Sequence, residues 1–362
     1  MPRRPPPALT GYARTVTTAD SAAAKDWPGV RLHVVTGKGG TGKTTVAGAL
    51  ALALAGRSAS RRRATGPART PRVLLVEVEG RQGLAQLFDA PQLPYEERRV
   101  AVAPGGGEVW ALVIDPEQAL LEYLDMFYKL GAAAKALKRF GAIDFATTVA
   151  PGIRDVLLTG KTCEAVRRRA QEEGRTFHYD AVVMDAPPTG RIARFLNVNS
   201  EVSGLARMGP IHNQADAVMR VLTSAQTAVH FVTLLEEMPV QETLDGIAEL
   251  REAGLPVGGI MVNQAHDVVL SDEQLKRAAG EGVDRAELGA GLAEVGLDRP
   301  SVVDALATLA SEHARRVLLE QEQREALSGC EAPIYELPLL TEGVDRVGLD
   351  RLAAALRSQG AA

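Results

Sequence analysis

Cysteine is scarce in this chain of 362 residues: Cys163 and Cys330 are its two thiols, far apart in sequence. That count excludes a disulfide framework and fits a reducing compartment. Neither thiol has a Cys or His neighbour at metal-ligand spacing, so no structural zinc is expected within one chain. Net charge is small too, at −4, which removes any general electrostatic case for nucleic-acid binding. Long apolar runs are missing: none reaches the roughly 18–20 residues that a membrane span requires. The N-terminus carries arginines but continues into Pro5-Pro6-Pro7 instead of the apolar stretch of a secretory signal. It has no acidic residue before Asp20, which leaves a transit peptide open beside the disordered leader that its Pro, Ala and Thr content predicts over 1–28. What remains is a cytoplasmic protein with no nucleic-acid partner and no stable membrane insertion.

The residues that are abundant build a core. With 46% hydrophobic residues, the chain can bury one large α/β core or two smaller ones. Apolar runs lie at Val30–Thr36, Val73–Val78, Val109–Ile114, Ala181–Met184, Thr227–Thr233, Val257–Val262 and Pro333–Leu337. Several are continuous in Val, Ile and Leu, the pattern of strands covered on both faces. Helical segments alternate with them, which predicts a doubly wound, mostly parallel α/β sheet. Thr44–Ala55 is nearly all apolar and suits a buried helix, and the arginine-rich stretch Arg57–Arg72 reads as an exposed loop after it. Two helical insertions are expected, near 116–170 and 270–329, within a single domain spanning 29–362. The first opens at Pro116, a residue suited to a first helical turn.

One motif carries the chemistry. Gly37-Lys38-Gly39-Gly40-Thr41-Gly42-Lys43-Thr44 fits G-x-x-x-x-G-K-[ST], directly after a predicted strand and at the start of a predicted helix. Gly39, Gly40 and Gly42 let the backbone around Thr41 curl until its amides point inward, and the helix adds its positive N-terminus. Lys43 would then hold the β- and γ-phosphates of ATP, Thr44 would ligate Mg²⁺, and Thr45 can reach the α-phosphate. The motif therefore implies ATP or ADP with Mg²⁺ as ligands, in a P-loop NTPase.

Lys38 extends the motif to K-G-G-x-G-K-T, which resembles the deviant Walker A motif of the MinD and arsenite-ATPase group. The resemblance implies that Lys38 reaches across a dimer interface to the partner's nucleotide; analogous cationic fingers contribute about 10³–10⁵ in rate in other NTPases. A second segment, Met184-Asp185-Ala186-Pro187-Pro188-Thr189-Gly190-Arg191 with Arg194-Phe195-Leu196, resembles D-x-A-P-T-G-H-T-x-R-x-L of the arsenite-transporter ATPase family. That family includes the ATPases that target tail-anchored membrane proteins. By this resemblance Asp185 is the switch carboxylate that binds magnesium through its water shell. Ile260-Met261-Val262-Asn263-Gln264 resembles the segment whose asparagine reads adenine, and Leu337-Pro338-Leu339 the one that lines the base, which places Asn263 and Pro338 in the nucleotide site. Outside that series, Asn263 would read as a turn residue. The likeness runs from Leu32 to the last helix and suggests an actinobacterial-type member, a kind often encoded with a paralogue.

Several positions depart from the family pattern. Where the second strand should end in D-P-A-H, with a water-positioning aspartate, Glu79-Gly80-Arg81-Gln82 stands instead. Glu79 can serve as a longer carboxylate, but one methylene moves the group by about 1.5 Å, a shift that can cost on the order of 10²-fold in rate. Glu77 shares a strand face with Glu79 and reads as an ion-pair partner at the strand end. The family's C-x-x-C zinc pair and its arsenite-site cysteines are both missing, which disfavours arsenite transport, and Arg191 stands in place of a histidine. Two functions remain in view. One is a hydrolysing ATP-driven dimer switch coupled to a protein client; the other is a weakly hydrolysing regulatory subunit paired with a paralogous ATPase, so that homodimer and heterodimer both stay open. A third, MinD-like membrane partitioning, would need Leu349–Arg357 to act as an interfacial helix, for which it lacks aromatic anchors. Met126, Phe127 and Tyr128 can line a cargo groove or fill an ordinary core.

Overall fold

The structure, a computed structural model, describes residues 27–56, 70–128, 151–171, 176–205 and 210–362, with the backbone alone at 126–128, 151, 201–205 and 210–211. The expected leader lies outside these residues except for Trp27 and Pro28, and the arginine-rich loop except for its last three positions.

Among the described residues eight strands form one sheet: β1 (Leu32–Gly37), β2 (Arg72–Glu77), β3 (Arg98–Val102), β4 (Glu108–Val113), β5 (Ala181–Asp185), β6 (Thr227–Thr233), β7 (Val257–Ala265) and β8 (Ile334–Pro338). Their order is β3-β4-β2-β5-β1-β6-β7-β8. All neighbours are parallel except β3 and β4. Every run read as a strand in the sequence is one. The strand not anticipated is β3, an edge strand whose sequence RRVAV buries a single residue fully.

Helices cover both faces. They are α1 (Lys43–Ala55), α2 (Gly83–Leu87), α3 (Pro116–Tyr128), α4 (Pro151–Arg167), α5 (Thr189–Leu205), α6 (Pro210–Leu222), α7 (Glu237–Glu252), α8 (Asp272–Gly280), α9 (Arg285–Ala293), α10 (Pro300–Ser328) and α11 (Arg346–Ser358). Leu32, Val34, Leu74, Val76, Val182 and Met184 face the core under α4 to α7. Val35, Val73, Leu75, Val183 and Met261 face the opposite core, with α1 and α11. The period of two is therefore present in the strands but hidden in the sequence, because both faces are apolar.

Local chemistry explains the helix starts. Asp115 accepts from the Gln118 amide at 2.8 Å and Pro116 follows at the first helical position, so α3 begins where its backbone donors are met. Ser271 and Gln274 make a reciprocal capping box at the start of α8. Helix α1 is apolar all round and buried from Val46 to Ala55; full burial of a residue such as Val46 or Leu50 contributes about 1.5–3 kcal/mol. Its partner α11 turns Leu349, Leu352, Ala353 and Leu356 into the same core. The apolar face that an interfacial helix would offer to lipid is thus already packed. No helix among the described residues is long and apolar enough to cross a membrane.

Because β1, β2, β5, β6, β7 and β8 run parallel, their C-terminal ends share one edge of the sheet. In open α/β sheets that edge, near the strand where connections diverge to either side, is where ligands bind.

Candidate functional site

The loop after β1 is closed by its own backbone. The Thr41 amide and hydroxyl both donate to the Lys38 carbonyl, at 3.3 and 2.9 Å. Gly40 and Gly42 sit at φ of 89° and 86°, a region that costs other residues energy. Gly42 immediately precedes α1. A side chain there would collide with the amide of Asn263. Lys43, Thr44 and Thr45 follow on the first helical turn, each half-buried.

Thr44 is held by the far end of the motif series: its hydroxyl donates to Oδ2 of Asp185 at 2.6 Å. Asp185 ends β5 and is buried. Its carboxyl is pushed up to about 6, first by desolvation; the Thr44 hydrogen bond and the Lys43 charge act against that rise, while Glu77 and Glu79 add to it. Hydroxyl and carboxylate oxygens at the mouth of a phosphate loop are the hard donors that suit Mg²⁺, which typically takes one or two carboxylates and completes its shell with water and phosphate. Among the described residues no group of three His, Cys, Asp or Glu side chains converges to hold an ion alone.

Asn263 and Pro338 come together at the same edge. Register between β7 and β8 breaks between Val262 and Ala265, Gln264 adopts φ of 57°, and Ala265 then pairs with Pro338. This bulge turns the buried Asn263 amide onto the phosphate loop, where Nδ2 donates to the Thr41 carbonyl at 2.9 Å. Pro338, the partner of Ala265, is exposed at the end of β8. The asparagine is therefore tied to the loop itself, a bond its resemblance to a base-reading residue does not foretell.

The acidic positions separate in an unexpected way. Glu79 lies past the end of β2, half-exposed, with its carboxylate 3.6 Å from Arg81. Glu77 is 2% exposed, and Cα register places it opposite Asp185 on the neighbouring strand. Its Oε2 accepts from the Leu84 amide at 3.0 Å, and its Oε1 is buried with no partner among the described residues. The ion pair expected for Glu77 is absent among the described residues, because the backbone of α2 closes over it before any cation can.

Lys38, at the exposed crown of the loop, does not hang free. Its ammonium lies 2.7 Å from Glu242 on α7. Beneath it, Thr36 donates to the Pro187 carbonyl at 2.7 Å, which fastens β1 to the segment after Asp185. Glu242 and the Thr36–Pro187 bond had no sequence signal, since each joins segments that are distant in the chain. Arg191 opens α5, and its charge acts on Asp155 of α4, together with Arg154 and Arg194. Cys163 is wholly buried, which pushes its thiol up to about 12, and it stands apart from Cys330.

A cavity of about 180 Å³ opens between α3, α4 and α6, lined by Ala119, Tyr123, Leu157 and Gln214 among others. Lys161 and Glu122 pair at 2.7 Å at its rim. The side chains of Met126, Phe127 and Tyr128, expected in a groove or a core here, lie outside the described residues.

Comparison with known proteins bears on this geometry. A family model described as anion-transporting ATPase matches residues 30–225. The ATPase BagA of Mycobacterium tuberculosis is 50% identical over 349 residues, 95% of this chain and 98% of that protein. The ATPase GET3 of Kluyveromyces lactis is 29% identical over 191 residues, 49% of this chain and 50% of the other. The GET3 of Eremothecium gossypii is 25% identical over 261 residues, 64% and 70% of the two chains.

Proposed function

The chain belongs to the anion-transporting ATPase family, and from that premise we propose that it is a cytoplasmic, magnesium-dependent ATPase acting as a dimeric switch. The activity itself follows from the family: the protein is an ATPase. The observation that carries the magnesium site is the 2.6 Å bond from Thr44 to Asp185, which joins the phosphate loop to the end of β5; the dimeric switch rests on Lys38 beside a complete phosphate loop.

In this reading the loop amides and Lys43 bind the β- and γ-phosphates, with Asn263 bracing the loop and, beside Pro338, meeting the base. Thr44 and Asp185 would hold Mg²⁺, Asp185 through water, and the ion would offset charge on the phosphate oxygens. Glu79 orients the attacking water. As the water oxygen bonds to the γ-phosphorus, the bond to the β,γ-bridging oxygen breaks, and ADP leaves with that oxygen. Lys38 of each protomer supplies positive charge to the partner's nucleotide. The Thr36–Pro187 bond gives the phosphate site a mechanical link to α5, and through it to α4 and α6 around the cavity, where a protein client would sense the nucleotide state.

Glu79 favours a second reading, a regulatory subunit that hydrolyses slowly beside a paralogous partner. Its carboxylate is longer than aspartate and already engaged by Arg81. A Glu79→Asp variant that gains turnover supports this reading, whereas fast hydrolysis by the isolated chain removes it.

The test of the switch is Lys38→Ala, with turnover and oligomeric state measured together in ATP. Turnover should fall by about 10³-fold or more if the lysine acts as a finger in trans. A monomeric variant with undiminished turnover would falsify the dimer mechanism.

A further inference from the structure

Glu77 has no role in the functional reading above, yet it is among the most constrained side chains of the site. It ends β2 opposite Asp185, its partner in the parallel ladder. Register partners on adjacent strands point to the same face and lie about 4.8 Å apart. The two acidic side chains therefore leave neighbouring strands on the same face, and both are buried. One oxygen of Glu77 is accounted for by the Leu84 amide; the other is buried and has no partner among the described residues. Buried polar atoms of that kind are rare in folded proteins and call for a physical reason.

The direction in which Glu77 faces supplies one. A Cβ placed on Gly83 would lie 3.7 Å from the Thr44 hydroxyl and 3.9 Å from Oε2 of Glu77. The threonine that bonds Asp185 and the carboxylate of Glu77 thus border one small space, which a glycine leaves open. Thr44 of α1 and Glu77 of β2 border that space, and Asp185 of β5 is joined to it through its hydrogen bond from Thr44.

We propose that Glu77 is a second carboxylate of the magnesium site, its unpartnered oxygen accepting from a water of the ion's shell beside Asp185. The inference rests on the reading of Thr44 and Asp185 as the metal-holding pair. Magnesium keeps much of its hydration and is commonly held by one or two carboxylates together with substrate phosphates. Glu77 is a positioning residue in this scheme: it orients the ion's water, while its other oxygen pins the start of α2. An anchor for α2 alone would need one oxygen and no charge.

The test measures Mn²⁺ affinity by electron paramagnetic resonance on the full chain saturated with ADP, for the wild type, Glu77→Gln and Asp185→Asn. Glutamine keeps the size and an acceptor for the Leu84 amide but loses the charge. The expected result is Mn²⁺ affinity about 10–100-fold weaker in Glu77→Gln, the range for residues that orient a metal's ligands, with ADP affinity in EDTA unchanged. Affinity within about twofold of wild type in Glu77→Gln, alongside a large loss in Asp185→Asn, would overturn the inference and leave the site intact. Unchanged affinity in both variants would overturn the metal-site reading as well. If Glu77→Gln does not fold, Glu77→Asp, with its charge drawn back by about 1.5 Å, is expected to bind Mn²⁺ more weakly than wild type; undiminished affinity there overturns the inference.

Discussion

Replacing Glu242 with glutamine should tighten dimerisation in the presence of ATP. In a single chain the Lys38 ammonium rests 2.7 Å from Glu242, with side chains 31% and 37% exposed. Pairs this open to solvent contribute about 0.2–1 kcal/mol. For Lys38 to reach a partner's nucleotide it must leave Glu242, and a symmetric dimer breaks two such pairs. Removing both releases about 0.4–2 kcal/mol, or roughly a 2- to 30-fold rise in the dimer association constant. The assay is sedimentation equilibrium with a non-hydrolysable ATP analogue. Because the pair is screened, the difference between wild type and Glu242→Gln should shrink as ionic strength rises from low salt towards 1 M. In a Lys38→Ala background Glu242→Gln should have no effect, since its partner is gone. Glu242→Gln protein that dimerises no more tightly than wild type would refute the idea that this contact parks the lysine.

Two other outcomes follow from the same geometry. Gly42→Ala forces a side chain into φ of 86° and against the Asn263 amide; the backbone cost alone is about 1–2 kcal/mol, so calorimetry should show ATP affinity reduced about tenfold or more, and full affinity would contradict the loop geometry. His230 is buried, with Nδ1 accepting from the Gly259 amide and Nε2 3.0 Å from His33, and burial depresses its pKa to about 3. Unfolded, it protonates near 6.5, so its contribution is complete above that pH and shrinks as pH falls towards 3, by about 2 kcal/mol at pH 5. Urea unfolding at pH 7 and pH 5 should show a drop smaller by about that amount in His230→Gln; equal drops in the two proteins would count against a neutral buried His230.

The sheet was legible because its strands are apolar on both faces, which makes Val73–Val78 or Thr227–Thr233 hard to mistake for anything exposed. By the same logic β3 was not legible. An edge strand with one covered face, Arg98–Val102 carries arginines where a central strand carries valines. The phosphate loop was readable because the requirement for glycine at Gly40 and Gly42 is local: both take positive φ within a short span. Contacts that define the rest of the site are not local. Asn263 turns to the loop through a bulge that the sequence does not announce, and Glu242 meets Lys38 only once α7 has packed onto the sheet face. Glu77 shows the limit most sharply. A glutamate at a strand end usually implies solvent or an ion pair, and only the pairing of β2 with β5, closed over by α2, places it beside Asp185.

The central claim is that one constellation, Gly37 to Thr45 with Asp185, binds ATP together with magnesium. Isothermal titration calorimetry of an ATP analogue into the full chain, with Mg²⁺ and then with EDTA, probes it most directly, using Thr44→Val as the comparison. Wild type should bind more tightly with Mg²⁺ than without, and Thr44→Val should lose that difference, because valine keeps the shape of threonine and removes the oxygen. Affinity indifferent to Mg²⁺ in the wild type, or a magnesium effect that survives in Thr44→Val, would contradict it.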